Sequence, residues 1–74
     1  MSKFFKVLNL DEAVRVDTAS STISYIGKAL VGSATSSPVW KISQLNSASG
    51  VVITYAGIGS YDQIWDNRSS LIYS

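Results

Sequence analysis

The chain has 74 residues, with six Lys and Arg, five Asp and Glu, no His, no Cys and a formal net charge of +1. Without His there is no side chain that ordinarily titrates near neutral pH, and without His and Cys the common zinc ligands are missing. We therefore expect no enzyme, no cofactor, no metal site and no disulfide.

The charged side chains are scattered along the chain and form no basic stripe or polybasic run. A phosphate backbone or an anionic lipid surface would need such a stripe, so we predict neither a nucleic-acid nor a membrane partner. The apolar stretch in residues 1–10 is broken by Lys6 and Asn9 and is shorter than the roughly 7–15 residues of a signal peptide core. We expect the chain to be made and kept in the cytoplasm unless it leaves inside a particle.

The small size of the chain favours assembly with other chains. A chain this short forms one domain, and apolar burial in such a domain barely offsets the loss of conformational entropy. Disulfides and metal ions are excluded as staples, so oligomerisation or docking onto a larger body is the expected source of stability. We predict a homo-oligomer or many copies on one particle.

Residues 13–17 and 22–26 alternate apolar and polar residues with the period of two that is typical of strands. Residues 28–31, 39–45 and 51–55 are further strand-forming runs. Gly27 lies between residues 22–26 and 28–31 and favours a bulge or a bend there. Trp40 and Ile42 are expected to share an apolar face, opposite Lys41 and Ser43.

The link at residues 46–50, with Gly50 at its end, predicts a β-hairpin. Apolar residues at 61, 64 and 65 have a helix-like spacing and favour a short helical turn near 61–65, and residues 71–73 are typical of a terminal strand. The chain is therefore expected to be one all-β domain over 1–74, an antiparallel sandwich or small barrel of four to five short strands. Residues 1–12 form an N-terminal arm of undetermined structure.

No constellation of residues carries a clear chemistry. Asp62 and Asp66 would share one face of a helical turn, but turn-forming roles explain both residues better than a catalytic or calcium pair. Gly57 and Gly59 lack the remaining features of a phosphate-binding loop and are typical of a flexible connector.

Large aromatic residues and Arg are the remaining candidates for functional positions, because they dominate both small cores and protein interfaces. The residues that we select as core or interface anchors are Tyr25, Trp40, Tyr55, Trp65, Arg68 and Tyr73. Arg68 is close enough in sequence to pair with Asp66 across a turn or to reach a neighbouring chain.

Three segments together carry a family resemblance: Tyr-Ile-Gly-Lys-Ala at 25–29, Val-Trp-Lys-Ile at 39–42 and Trp-Asp-Asn-Arg at 65–68. This pattern resembles a group of short proteins encoded by tailed bacteriophages. The chain differs from the pattern after the hairpin, where Tyr-Ala-Gly-Ile at 55–58 stands in place of an acidic turn, so an ion or ligand site there is not implied.

The resemblance implies a virion structural protein, made in the host cytoplasm, that serves as an accessory, cement or adaptor of the tail or the capsid, with other virion proteins as partners. The alternative is a carbohydrate-binding or adhesin module at a tail tip, which would present Tyr and Trp rings to sugars.

Overall fold

The computed structural model describes residues 12–74, so the predicted N-terminal arm lies almost entirely outside the described residues. The strands are β1 (Glu12–Thr18), β2 (Ile23–Leu30), β3 (Pro38–Asn46), β4 (Val52–Tyr55) and β5 (Gln63–Ile64). The prediction of a small all-β fold with four to five strands is confirmed. Residues 12–74 build one antiparallel sheet with the order β1-β2-β3-β4, and β5 pairs with β3. A single sheet thus stands where a sandwich or barrel was expected.

Short polar turns hold the strands in register. Between β1 and β2, the Ser20 hydroxyl oxygen accepts hydrogen bonds from the backbone N–H groups of Thr22 and Ile23, at 3.3 and 3.1 Å. Between β3 and β4, the side-chain oxygen of Asn46 accepts from the Ala48 N–H at 2.9 Å, and Gly50 adopts a φ of 107° that favours glycine. The predicted hairpin is therefore present.

Gly27 lies in an unbroken part of the sheet. It pairs with Arg15 on one side and Ile42 on the other, so the predicted bulge is absent. A Cβ atom at this position would lie 2.5 Å from the Trp65 ring. The sequence needs glycine here because an indole ring lies directly on the backbone of β2.

The two faces of the sheet have different environments. The strand register places Ala13, Arg15 and Asp17 of β1 on the same face as the residues of β2 and β3 that form the core. We call this the covered face. The opposite face, called the open face below, carries Glu12, Val14, Val16, Thr18, Ser24, Ile26, Lys28, Leu30, Val39, Lys41, Ser43, Leu45, Ile53 and Tyr55.

The core lies between the covered face and the C-terminal segment, and its buried members are Tyr25, Ala29, Trp40, Ile42, Ala56 and Trp65. The rings of Trp40 and Trp65 lie 5.9 Å apart between centroids, and the Trp40 indole N–H donates to the Ala34 carbonyl at 2.9 Å. Partly buried Leu71 and Tyr73 pack against this cluster.

The C-terminal segment differs from expectation in two places. The helical turn predicted near 61–65 is displaced to a 3-10 helix over Trp65–Ser70, because Gln63 and Ile64 pair with β3 as β5. A second 3-10 helix covers Gly57–Gly59. The predicted terminal strand is reduced to one bridge between Ala56 and Tyr73, supported by backbone hydrogen bonds between Tyr55 and Ser74.

Candidate interaction surface

Four of the six predicted anchor residues lie in or against the core. Trp40 and Trp65 are 1% and 5% exposed, so neither ring is available for stacking on a sugar. Tyr25 is buried and its ring lies 5.7 Å from that of Tyr73. The Tyr73 hydroxyl donates to the Arg68 carbonyl at 2.7 Å, and partial burial raises the pKa of Tyr73 to about 12.

Arg68 is engaged within the chain. Its Nε donates to the Asp17 carboxylate at 2.9 Å, Nη1 donates to the Trp65 carbonyl at 3.2 Å, and its guanidinium lies 4.7 Å from the centre of the Trp65 ring. The pair with Asp66 that the spacing suggested is replaced by this pair with β1. Arg68 therefore links the 3-10 helix to β1 on the covered face.

Tyr55, the sixth anchor, lies on the open face and is 40% exposed. It is one of a contiguous set of apolar side chains there. Within residues 12–74, the exposed members of this set are Val14, Val16, Leu30, Val39, Ile53 and Tyr55. Half-buried Ile26 and Leu45 complete it. Most of one side of the sheet is thus apolar and open to solvent.

β1 shows the asymmetry most directly. Two of its charged side chains, Arg15 and Asp17, lie on the covered face, where the Arg15 guanidinium is 5.9 Å from the Trp40 ring centre and Asp17 binds Arg68. Its valines, Val14 and Val16, lie on the open face and are 58% and 65% exposed. The two valines are informative because they belong to a contiguous exposed apolar patch, which often marks an interaction site.

Two lysines stand among these apolar residues. Lys28 and Lys41 are directly opposite each other in the register of β2 and β3. They border a depression of about 190 Å³ whose other lining residues are Ile26, Ser43, Ile53 and Tyr55. The Lys41 ammonium lies 5.6 Å from the Tyr55 ring centre and 5.7 Å from that of Tyr61. The open face therefore combines apolar area with a local positive charge.

Glu12 lies at one end of the open face and brings a carboxylate there. The Tyr61 hydroxyl donates to Glu12 Oε2 at 2.8 Å, and this hydrogen bond, more than any other cause, raises the pKa of Tyr61. Both residues line a wider hollow together with Leu30, Ser33 and Val39. Glu12 is consequently directed to Tyr61 at the end of the face.

A strained turn borders the same surface. Ile58 has a φ of 53°, in the left-handed region that β-branched residues rarely adopt, and its side chain is 91% exposed. A Cβ at the neighbouring Gly59 would lie 3.8 Å from Lys41 and from the Tyr55 ring. The turn that carries Ile58 therefore lies beside the open face, and its left-handed backbone has a cost in energy.

Sequence reasoning did not select Lys28, Lys41, Ile53 or Ile58 as interface residues. The alternation in β1 showed that one side of the strand is apolar, but it could not show which side meets the core. The sequence does contain one signal of an apolar open face: residues 39–45 carry apolar side chains on both faces of the strand. Val39 and Leu45 lie on one face, and Trp40 and Ile42 lie on the other.

Acidic residues form no cluster in the described part of the chain. Among residues 12–74, no three Asp or Glu side chains come together in a way that could hold a metal ion. In the same range, no helix has both the length and the apolar character that a membrane span requires.

Comparisons with protein-family models, with curated proteins and with solved structures found no match. The phage resemblance accordingly stays a prediction from sequence.

Proposed function

We propose that this protein is a small structural module that assembles into a multi-copy particle through the open face of its sheet. The observation that carries the proposal is that Val14, Val16, Leu30 and Ile53 are each at least 50% exposed on one side of the sheet. A sheet in a small domain normally buries one face against a second layer, and here the C-terminal segment supplies that layer on the covered face only.

The size of the surface supports the proposal. Four strands about 4.8 Å apart, with seven residues rising about 3.3 Å each, give a face of about 400 Å². Patches of about 300–600 Å² on monomers are often interaction sites. A standard interface buries about 800 Å² on each partner, so neighbouring elements would have to contribute as well. Ile58, on its strained turn beside the face, is placed to do so.

The particle that we propose is the virion of a tailed bacteriophage, with the protein in an accessory, cement or adaptor role in the tail or the capsid. The sequence pattern shared by residues 25–29, 39–42 and 65–68 supports this choice. Burial of both tryptophans weakens the adhesin alternative, which would present Tyr and Trp rings to sugars and is left with exposed tyrosines such as Tyr55 and Tyr61.

The absence of native cysteine allows a clean test. Ile53→Cys places a thiol on the open face, and Val51→Cys places a matched thiol on the exposed hairpin turn. Both variants would be introduced into the phage that encodes the chain, and purified particles would be treated with a maleimide and analysed by mass spectrometry.

We expect many copies in each particle, a thiol at 53 that is protected and a thiol at 51 that reacts. Particles that lack the protein, or in which both thiols react equally, would contradict the proposal.

A further inference from the structure

The Lys28–Lys41 pair is costly for the isolated chain. Like charges directly opposite each other on neighbouring strands destabilise a sheet. In residues 12–74 no carboxylate oxygen lies within 4.0 Å of either ammonium group, since the ion pair found there joins Arg68 to Asp17. The other charged residue of the open face, Glu12, accepts a hydrogen bond from Tyr61.

The surroundings of the pair fit a carboxylate. Each lysine offers an ammonium with three donors and no acceptor. Buried Ser43 lines the same depression, but its hydroxyl donates to the Ile26 carbonyl at 3.5 Å, so the two lysines are the donors that face a ligand. Ile26, Ile53 and Tyr55 border it with apolar surface. A ligand that matches this depression carries a negative group between apolar groups.

A second copy of the chain matches the open face poorly. Residues 12–74 of each copy bring two lysines and one glutamate to this face, so these parts of two copies would place four ammonium groups against two carboxylates. Unpaired charges of one sign in an interface are costly to desolvate. The charge of the face therefore calls for a partner of opposite charge.

We propose that an acidic, apolar segment of a partner protein docks on the open face, with a carboxylate between Lys28 and Lys41 and apolar side chains against Ile53 and Tyr55. This inference rests on the proposed function and names the chemistry of the partner. The lysines select the partner by charge, and the apolar residues supply the buried area.

The test uses the full chain, isotope-labelled for NMR, and a capped peptide that alternates valine with glutamate. A capped peptide that alternates valine with lysine is the matched control. We expect the acidic peptide to shift the amide signals of Ile26 and Ser43, and the basic peptide to leave them in place. The K28Q/K41Q variant should bind the acidic peptide about tenfold more weakly, which corresponds to about 1.4 kcal/mol. The K28R/K41R variant, which keeps the charge, should retain binding.

Three results would overturn the inference. Equal binding of both peptides, or unchanged binding by K28Q/K41Q, would show that charge does not select the partner. Self-association of the wild-type chain that Ile53→Asp abolishes would make a second copy the occupant. A thiol at Ile53→Cys that is already protected in the free monomer would mean that the chain's own first residues cover the face.

Failure of this inference is separable from failure of the proposed function. If Ile53→Asp blocks incorporation into particles while K28Q/K41Q does not, the open face is an interface but its partner is not acidic. If neither variant affects incorporation, the proposed function itself fails.

Discussion

The two faces of the sheet use the same kinds of residue in opposite ways. On the covered face, Arg15 lies 5.9 Å from the Trp40 ring centre and Asp17 pairs with Arg68, so charged side chains of β1 border the core. On the open face, Val14 and Val16 remain exposed beside them on the same strand. The comparison shows that the position of the C-terminal segment, and not the polarity of the β1 side chains, determines which face of the sheet is covered.

The largest expected effect is a difference in stability between a substitution on the covered face and one on the open face. Trp40→Ala removes a side chain that is 1% exposed, and it should lower the free energy of unfolding by about 3–5 kcal/mol. Val16→Ala, on the open face, should change it by less than about 0.5 kcal/mol. Urea unfolding of both variants measures the contrast. Similar losses in the two variants would mean that the open face is packed in the isolated chain.

Gly27→Ala tests how closely the C-terminal segment lies on the covered face. The new methyl group would meet the Trp65 ring, which cannot retreat because Arg68 lies over it. We expect a loss of about 1–3 kcal/mol from overpacking. Ser24→Ala, on the open side of the same strand, is the control. A neutral Gly27→Ala would show that Trp65 lies farther from β2.

Ile58→Asn should raise the stability of the chain while weakening its assembly. Asn tolerates the left-handed region better than a β-branched residue, so the variant should gain about 1 kcal/mol in the free energy of unfolding. It should also enter particles less well, because the apolar anchor is lost. Thermal unfolding and particle incorporation are the two readouts. A variant that is less stable than wild type would show that Ile58 is held by contacts within the chain.

Alkaline pH should lower the free energy of unfolding through Tyr73, which packs on the covered face. The pKa of Tyr73 is raised to about 12 in the folded chain from an ordinary value of 10.0, mainly by burial. The unfolded chain therefore loses this proton first, and the stabilisation is complete below pH 10 and lost as the pH rises toward about 12. We expect a decline on the order of 1 kcal/mol after allowance for solvent screening.

Tyr73→Phe removes that titration. Its free energy of unfolding should change less over the same pH range than that of the wild-type chain, measured by urea unfolding at several pH values. An equal decline in both proteins would assign the effect to other tyrosines.

Local patterns were sufficient for β1 to β4 and the hairpin, but not for β5 or the terminal residues 71–73. Period-two alternation located residues 13–17, a strand-forming run located residues 39–45, and Gly50 marked the turn, because these features depend on neighbours in sequence. The shared face of Trp40 and Ile42 was also predictable, and both side chains are buried.

Long-range contacts account for what the sequence did not show. Arg68 and Asp17 are 51 residues apart, and nothing near either residue indicates that they pair. The need for glycine at position 27 arises from Trp65, so a local reading predicted a bulge. The open face could not be identified until the C-terminal segment was placed on the other side.

The claim that the open face is an interface is tested most directly by Val16→Asp combined with Ile53→Asp. We predict that the doubly substituted chain unfolds in urea within about 1 kcal/mol of wild type, because both positions are exposed in the monomer, and that it is absent from particles. A folded double variant that enters particles as efficiently as wild type would contradict the account.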